Sequence, residues 1–423
     1  MRHELKPFAW VRISYRLLTL RRIHAHALIL SFCLWVAFAV DYSTHRPLDR
    51  AGNIKFQDFL SFYISGELIS RGHSSALYDE SLRYSEMLTI AAPAKPLPDP
   101  HPPGNVRIPN LYGPQVGLMF APFARMPFLW AAVLWLVFSF LIYFGCVYAI
   151  SRRYSAIRPH RATVALAALA FPPFWHCMIR GQLSALLLLC FTIGFFALRA
   201  NRQLLAGIAL GLLVFKPQFL LAIPLILILA GSWRMLAGLL MSSAIQVGST
   251  CLYFESAVMQ TYIDMLRNLP RWIRIAEPGF SLVQMHSLRS FWELLIPWPS
   301  AAWILYILTS IAVLVIATVI WKAPLSLEVR YSALILAAVL VNPHIYIYDL
   351  LALAPALLLL ADWSIHNADD THKPGLVVLL YLAFLLPLFG PLAHWTHLQL
   401  TVVVFAALLW TLQTIGRAKI AQA

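Results

Sequence analysis

The chain has 423 residues, 60% of them hydrophobic and only 12% charged. That balance excludes a soluble globular domain and leaves an integral membrane protein. A formal net charge of +14, with no basic soluble surface to carry it, reports membrane topology and attraction to anionic lipid; no nucleic-acid partner is expected.

Repeated apolar runs near the roughly 20 residues a bilayer requires predict an all-α polytopic protein of about 12 transmembrane helices. The spans read approximately 26–43, 127–150, 162–177, 182–199, 203–215, 218–231, 234–254, 301–321, 329–341, 347–362, 375–390 and 398–415. Residues 1–423 form a single membrane domain, with outer loops at about 44–113 and 255–300. An even number of spans puts both termini on one side. Arg2, Lys6, Arg12, Arg16, Arg21 and Arg22 hold the N-terminus in the cytoplasm. Arg152, Arg153, Arg158 and Arg161, then Arg199 and Arg202, Arg234, Lys322 and Arg330, and Arg417 and Lys419 fall on the same side. Ala37-Phe38-Ala39 looks like a signal-peptidase site, but the long basic region before it and the spans after it favour a retained first helix. Cys33, Cys146, Cys177, Cys190 and Cys251 lie in or beside apolar spans at no ligand spacing and read as packing residues, not as a disulfide or zinc framework.

In the first outer loop, Phe59, Leu60, Phe62, Tyr63, Leu68 and Ile69 recur at near-helical spacing and predict an extracytoplasmic amphipathic helix lying on the membrane surface. Eight prolines between Pro93 and Pro114 forbid regular structure there. The second loop mixes Arg267, Arg271, Arg274 and Arg289 with Trp272, Trp292 and Trp298, a headgroup-level composition that suits an interfacial anchor.

The polar motifs Asp58, Gly181-Gln182, Lys216-Pro217, Asn342-Pro343-His344 and Asp349 all fall on the outer face of this topology. A chain this apolar hides or solvates its polar groups unless one surface uses them, so the pattern points to a membrane enzyme with one interfacial site. The alternative is a lipid or solute transporter or flippase. Transporters place charge mid-span and carry inverted repeats, whereas these spans are nearly free of charge and show no repeat.

Four stretches, in order, resemble glycosyltransferase family 87, polyprenyl-phosphate-dependent mannosyltransferase-like membrane proteins of the GT-C superfamily. They are Asp58 through Gly66 and Gly72 to Leu77-Tyr78-Asp79; Leu111-Tyr112-Gly113-Pro114 to Ala121-Pro122; Gly181-Gln182 with Gly207, Gly211 and Lys216-Pro217; and Asn342-Pro343-His344 with Tyr348-Asp349-Leu350. Gly113 stands where the family pattern has the first of two prolines, and Ile345-Tyr346-Ile347-Tyr348 replaces a Ser-Trp and paired histidines found in some members. The resemblance implies a GT-C-like fold in a bacterial inner membrane, acting on the periplasmic side without a cofactor. It implies transfer of a hexose, mannose by default, from a polyprenyl-phosphate sugar donor to a lipid or glycan acceptor, with inversion.

That reaction needs a base for the acceptor hydroxyl and positive charge for the departing lipid phosphate. The resemblance makes Asp58 the catalytic base; a helix N-cap is its structural alternative, and Glu67 is the weaker candidate. Lys216 either contacts phosphate or sugar, or sits at a helix terminus and snorkels. His344 is a candidate hydrogen-bond donor to the leaving phosphate or a sugar hydroxyl. Asp349 either pairs with Lys216 or Arg180 or binds sugar hydroxyls. Arg180 suits a phosphate, and Gln182 suits sugar hydroxyls or a helix cap. Tyr78 and Asp79 read equally well as a turn. His394 and His397, at i,i+3 spacing, lack the third ligand a metal needs, and no metal is expected.

Overall fold

The computed structural model describes residues 9–44, 47–50, 52–91, 110–268, 280–367 and 371–422. Arg2, Lys6, most of the proline-rich run, and Arg271, Trp272 and Arg274 lie outside them. Among the described residues the protein is all-helical, with two isolated β-bridges, Leu48 to Ile54 and Met285 to Tyr346.

Among the described residues, seven helices are long and apolar enough to cross a bilayer: Leu20–Tyr42, Phe128–Ser151, Trp233–Tyr253, Pro299–Lys322, Ile347–Asn367, Lys373–Thr396 and Leu400–Ala418. Arg158–Leu169 and Pro172–Arg180 make an eighth if their 50° bend is counted within one span. Pro172 and Pro173 start the second of these helices, and the residue before a proline resists helical geometry, so the chain bends there.

The remaining expected spans are short helices. Ser184–Arg199 has 16 residues and Leu327–Leu340 has 14; Gln203–Phe215 and Pro217–Leu229 are of similar length. At 1.5 Å per residue they run about 20–24 Å, short of the roughly 30 Å hydrocarbon core. Apolar composition does not distinguish a full crossing from a partial one.

These short helices carry the polar motifs at their tips. Gln203–Gly211 and Trp233–Tyr253 run parallel in tight contact: a Cβ on Gly207 would lie 1.9 Å from the Met235 carbonyl oxygen, one on Gly211 2.3 Å from that of Leu239, and one on Gly238 2.1 Å from that of Leu204. Small residues permit such backbone approach. The chain therefore rises along Gln203–Phe215, breaks at Lys216-Pro217, and descends along Pro217–Leu229 before Trp233 starts up again.

Long-range bonds gather the basic segments at the lower end. Tyr154 Oη donates to Glu328 at 2.8 Å, with Arg199 3.9 Å from the same carboxylate. Trp321 Nε1 donates to Ser232 Oγ at 3.0 Å, and Asp362 accepts the backbone N–H groups of Ala156 and Ile157 at 2.8 and 3.2 Å. The polar tips lie at the other end.

Over those tips sits the Gln57–Ser70 helix. It is not a helix lying on a surface: nine of its 14 residues are buried, from every side. Phe59, Leu60, Phe62, Tyr63, Ile64, Leu68 and Ile69 encircle the axis instead of forming a stripe, and a helix apolar all round is a core helix. Pro114–Phe120 packs so closely that a Cβ on Gly66 would meet the Phe120 carbonyl oxygen at 2.5 Å. From the Glu80–Ala91 helix, buried Arg83 donates to Ser61 and Ser65 at 2.7 and 2.9 Å.

Candidate active site

The Pro172–Arg180 helix ends at Gly181, whose φ of 68° is left-handed. The Gln182 N–H donates to the Cys177 carbonyl (3.0 Å) and the Gly181 N–H to that of Met178 (3.3 Å), the paired bonds of a Schellman stop. A Cβ on Gly181 would also lie 2.6 Å from Phe59 Cβ. Glycine is thus required both for its φ and for its lack of a side chain. This turn presents Gln182 directly to Asp58. Gly181→Ala is expected to lower the melting temperature of purified protein and to impair turnover at the remaining folded fraction, because Phe59 and Asp58 must both shift.

Asp58 occupies the second position of its helix. The N-cap is Phe56, at φ 55° and ψ 50° without a side-chain bond, so the capping role expected for Asp58 belongs to no side chain. Its Oδ2 accepts from Gln182 Nε2 at 2.8 Å. Its Oδ1 lies 3.9 Å from Arg180 Nη1, which donates to Gln57 Oε1 at 2.9 Å. The Asp58 side chain keeps 25% exposure. Burial raises its carboxyl above the ordinary carboxylate range; Arg180, the Gln182 bond and Lys216 act in the opposite direction, and Asp349 adds to the rise.

Gln182 is buried, and its amide has a defined sense. Tyr112 Oη donates to Oε1 at 3.2 Å and Lys216 Nζ to the same oxygen at 3.4 Å. The Leu183 N–H donates to it as well, at 3.2 Å, and three donors on Oε1 leave Nε2 for Asp58.

Beneath Gln182, Lys216 and Asp349 form a buried ion pair, with Ser184 Oγ donating to Asp349 Oδ1 at 2.9 Å. Lys216 Nζ also lies 5.2 Å above the Tyr348 ring, a cation–π distance. Of the partners open to Asp349, the one it takes is Lys216. The spans are therefore not free of buried charge: the two members of the pair, 133 residues apart in sequence, meet only in the fold.

His344 stands next to this chain of contacts, outside it. Its N–H donates to Asn342 Oδ1 at 2.9 Å, and its ring meets Tyr346 edge-on at 5.0 Å. Burial lowers His344 to about 4, leaving it neutral near pH 7. Buried Nδ1 of His344 and Nδ2 of Asn342 have no protein partner, so this tip keeps hydrogen-bonding capacity for a bound group. The His286 N–H donates to the Ile345 carbonyl at 2.9 Å and pins the tip from the side.

The other candidates lie elsewhere. Glu67 pairs with Arg71, which also reaches Glu86 at 3.0 Å. Asp79 caps the Glu80–Ala91 helix through the N–H groups of Ser81 and Leu82, while Tyr78 Oη donates to the Tyr112 carbonyl. Arg289 pairs with Glu293 at 2.8 Å and stacks over Trp303. Among the described residues no group of three His, Cys, Asp or Glu side chains is placed to hold a metal. Ser184, with no motif to mark it beyond its place two residues after Gln182, was the participant that sequence inspection passed over.

A comparison with known families matches residues 110–343, more than half of the chain, to Glycosyltransferase family 87. The matched segment contains Arg180, Gln182 and Lys216, while Asp58, His344 and Asp349 fall outside it. No curated protein and no solved structure matches the chain. With an all-helical membrane architecture and a match over most of its described core, the chain belongs to glycosyltransferase family 87, and is a membrane glycosyltransferase.

Proposed function

We propose that this protein moves a hexose, mannose first among the candidates, from a polyprenyl monophosphate to a lipid or glycan acceptor at the periplasmic face of a bacterial inner membrane, with inversion at the anomeric carbon. The observation that carries the reading is Asp58: a part-exposed carboxylate oriented by Gln182, beside a guanidinium, at the end of the molecule opposite the loops around Tyr154, Arg199 and Glu328. The rule that basic loops remain cytoplasmic puts that end outside, where nucleotide sugars are absent and lipid-linked ones are available.

In the proposed step Asp58 Oδ1 takes the proton of the acceptor hydroxyl as its oxygen bonds to the anomeric carbon. The bond from that carbon to the phosphate oxygen breaks, and the lipid phosphate departs with the electron pair. Arg180, part-exposed beside Asp58, supplies cationic hydrogen bonds to that phosphate. Lys216 is committed to Asp349 and Gln182 and acts as a positioning residue: it holds Gln182 Oε1, so that the amide keeps Asp58 Oδ2 and leaves Oδ1 for the acceptor. His344, with Asn342, contributes neutral hydrogen bonds to the sugar or the phosphate. Asp349 supports Lys216 and Ser184 and need not touch substrate.

A base acts only when deprotonated, so turnover falls as pH drops through the Asp58 titration. Burial has moved that titration above the ordinary carboxylate range, and the acid limb of kcat/KM is expected there. Gln182→Ala removes a bond that favours the charged form, and is expected to move the limb to higher pH. A limb unchanged by Gln182→Ala contradicts the assignment.

Membrane vesicles test the location and the donor together. A short-chain, water-dispersible polyprenyl-phosphate mannose added from outside is expected to support transfer in right-side-out vesicles and not in sealed inverted ones. Transfer only in inverted vesicles, or only from a nucleotide sugar, overturns the proposal.

A further inference from the structure

An apolar cavity of about 250 Å³ lies at the basic end, between the start of the Leu20–Tyr42 helix and the Arg161–Leu169 and Ala354–Asn367 helices. Ile23, Val164, Ala167, Leu357, Leu358 and Ala361 form much of its wall. A cavity with such walls excludes water and accepts apolar matter. Leu20 and Ile365 also line it and are exposed, so it opens to the outside of the protein. It is remote from Asp58: Phe128 packs on Phe59 at one end of the Phe128–Ser151 helix, and Tyr143 and Val147, near the other end, line the cavity.

The mouth is cationic. Arg21 and Arg22 follow Leu20, and Arg158 and Arg161 bracket His160, itself a lining residue; all four arginines are exposed. Among the described residues, the ion pairs at this end join Arg199 to Glu328 and His366 to Asp362, and leave these arginines out. Asp362 is buried and turned to the N–H groups of Ala156 and Ile157. An apolar slot with exposed arginines at its rim matches one occupant in a bilayer: an acyl chain attached to an anionic headgroup.

We propose that this cleft is a binding site for an anionic glycerophospholipid, with an acyl chain in the cavity and the headgroup phosphate on Arg158 and Arg161. It is separate from the glycosyl-transfer site and does not depend on the reaction assigned there. A lipid held here joins the Leu20–Tyr42 helix to the Arg161–Leu169 and Ala354–Asn367 helices and stabilises the folded protein by mass action.

Native mass spectrometry of the purified full chain, equilibrated with equimolar phosphatidylglycerol and phosphatidylcholine, tests this. The wild type is expected to retain phosphatidylglycerol over phosphatidylcholine by about tenfold. Ala361→Phe, which fills the cavity, is expected to lose that retention while melting in lipid-free detergent no lower than the wild type. Ala167→Leu serves the same purpose if Ala361→Phe does not fold. Arg158→Gln with Arg161→Gln is expected to keep chain binding and lose the preference for the anionic lipid. Equal retention of the two lipids by the wild type, or undiminished phosphatidylglycerol binding by both cavity-filling variants, overturns the proposal. So does displacement of the phospholipid by polyprenyl phosphate, which would give the cavity to the substrate.

Discussion

Lys216→Met is expected to destabilise the protein by about 3–5 kcal/mol, the usual cost of leaving one member of a buried ion pair uncompensated. Methionine matches the lysine stem closely, so little of that loss is packing. What remains is the Asp349 carboxylate, buried, with Ser184 as its surviving donor. Replacing both charges is expected to behave differently: Lys216→Met with Asp349→Leu removes the unpaired carboxylate, and most of the stability returns. Thermal melts of the purified single and double variants in one detergent check this. Equal melting of Lys216→Met and the wild type would contradict the pairing. Even when refolded, the double variant is expected to transfer sugar less well, because Gln182 Oε1 has lost its charged donor and is held only by Tyr112 and the Leu183 N–H.

Asp58→Asn is expected to reduce kcat by roughly 10²–10⁴-fold, the range that general-base catalysis contributes, while leaving the fold intact. Asparagine keeps the shape and can still accept from Gln182 Nε2, but takes no proton. Phe56, not Asp58, occupies the N-cap, so the substitution costs the helix no cap. Asp58→Glu is expected to recover part of the rate, since it restores a base at a displaced position. A base role predicts a fall in kcat with substrate KM nearly unchanged. A mainly structural role predicts a lower melting temperature with near-normal turnover of the folded fraction. Glu67→Gln serves as the control, because Glu67 is engaged with Arg71 away from the site.

The residues of the candidate site were legible in the sequence largely because their motifs interrupt apolar runs. Asp58, Arg180, Gln182, Lys216 and Asp349 stand out for that reason, and the structure brings these five together from four separated segments. What remained hidden depends on tertiary partners. Lys216 at a helix end is equally consistent with snorkelling, phosphate contact or an ion pair; the choice rests on Asp349, which approaches from the Ile347–Asn367 span. Ser184 has no periodicity or motif to announce it. Among the described residues the structure gives seven or eight long spans where the sequence suggests about 12, because hydropathy registers the apolar character of Gln203–Phe215 and Pro217–Leu229 but not how short each helix is. The Gln57–Ser70 helix was read as amphipathic from a few well-spaced residues. Ile64, between them, is fully buried as well, and shows that the apolar surface goes all the way round.

The most direct measurement is transfer of radiolabelled mannose from synthetic polyprenyl-phosphate mannose by purified wild-type protein in proteoliposomes that also contain an extract of envelope lipids and glycans. The account predicts labelled acceptor formed in step with free polyprenyl phosphate, with the anomeric configuration inverted relative to the donor. Label that stays on the donor when other hexoses, and acceptors from several bacterial envelopes, have been supplied to folded protein would contradict it.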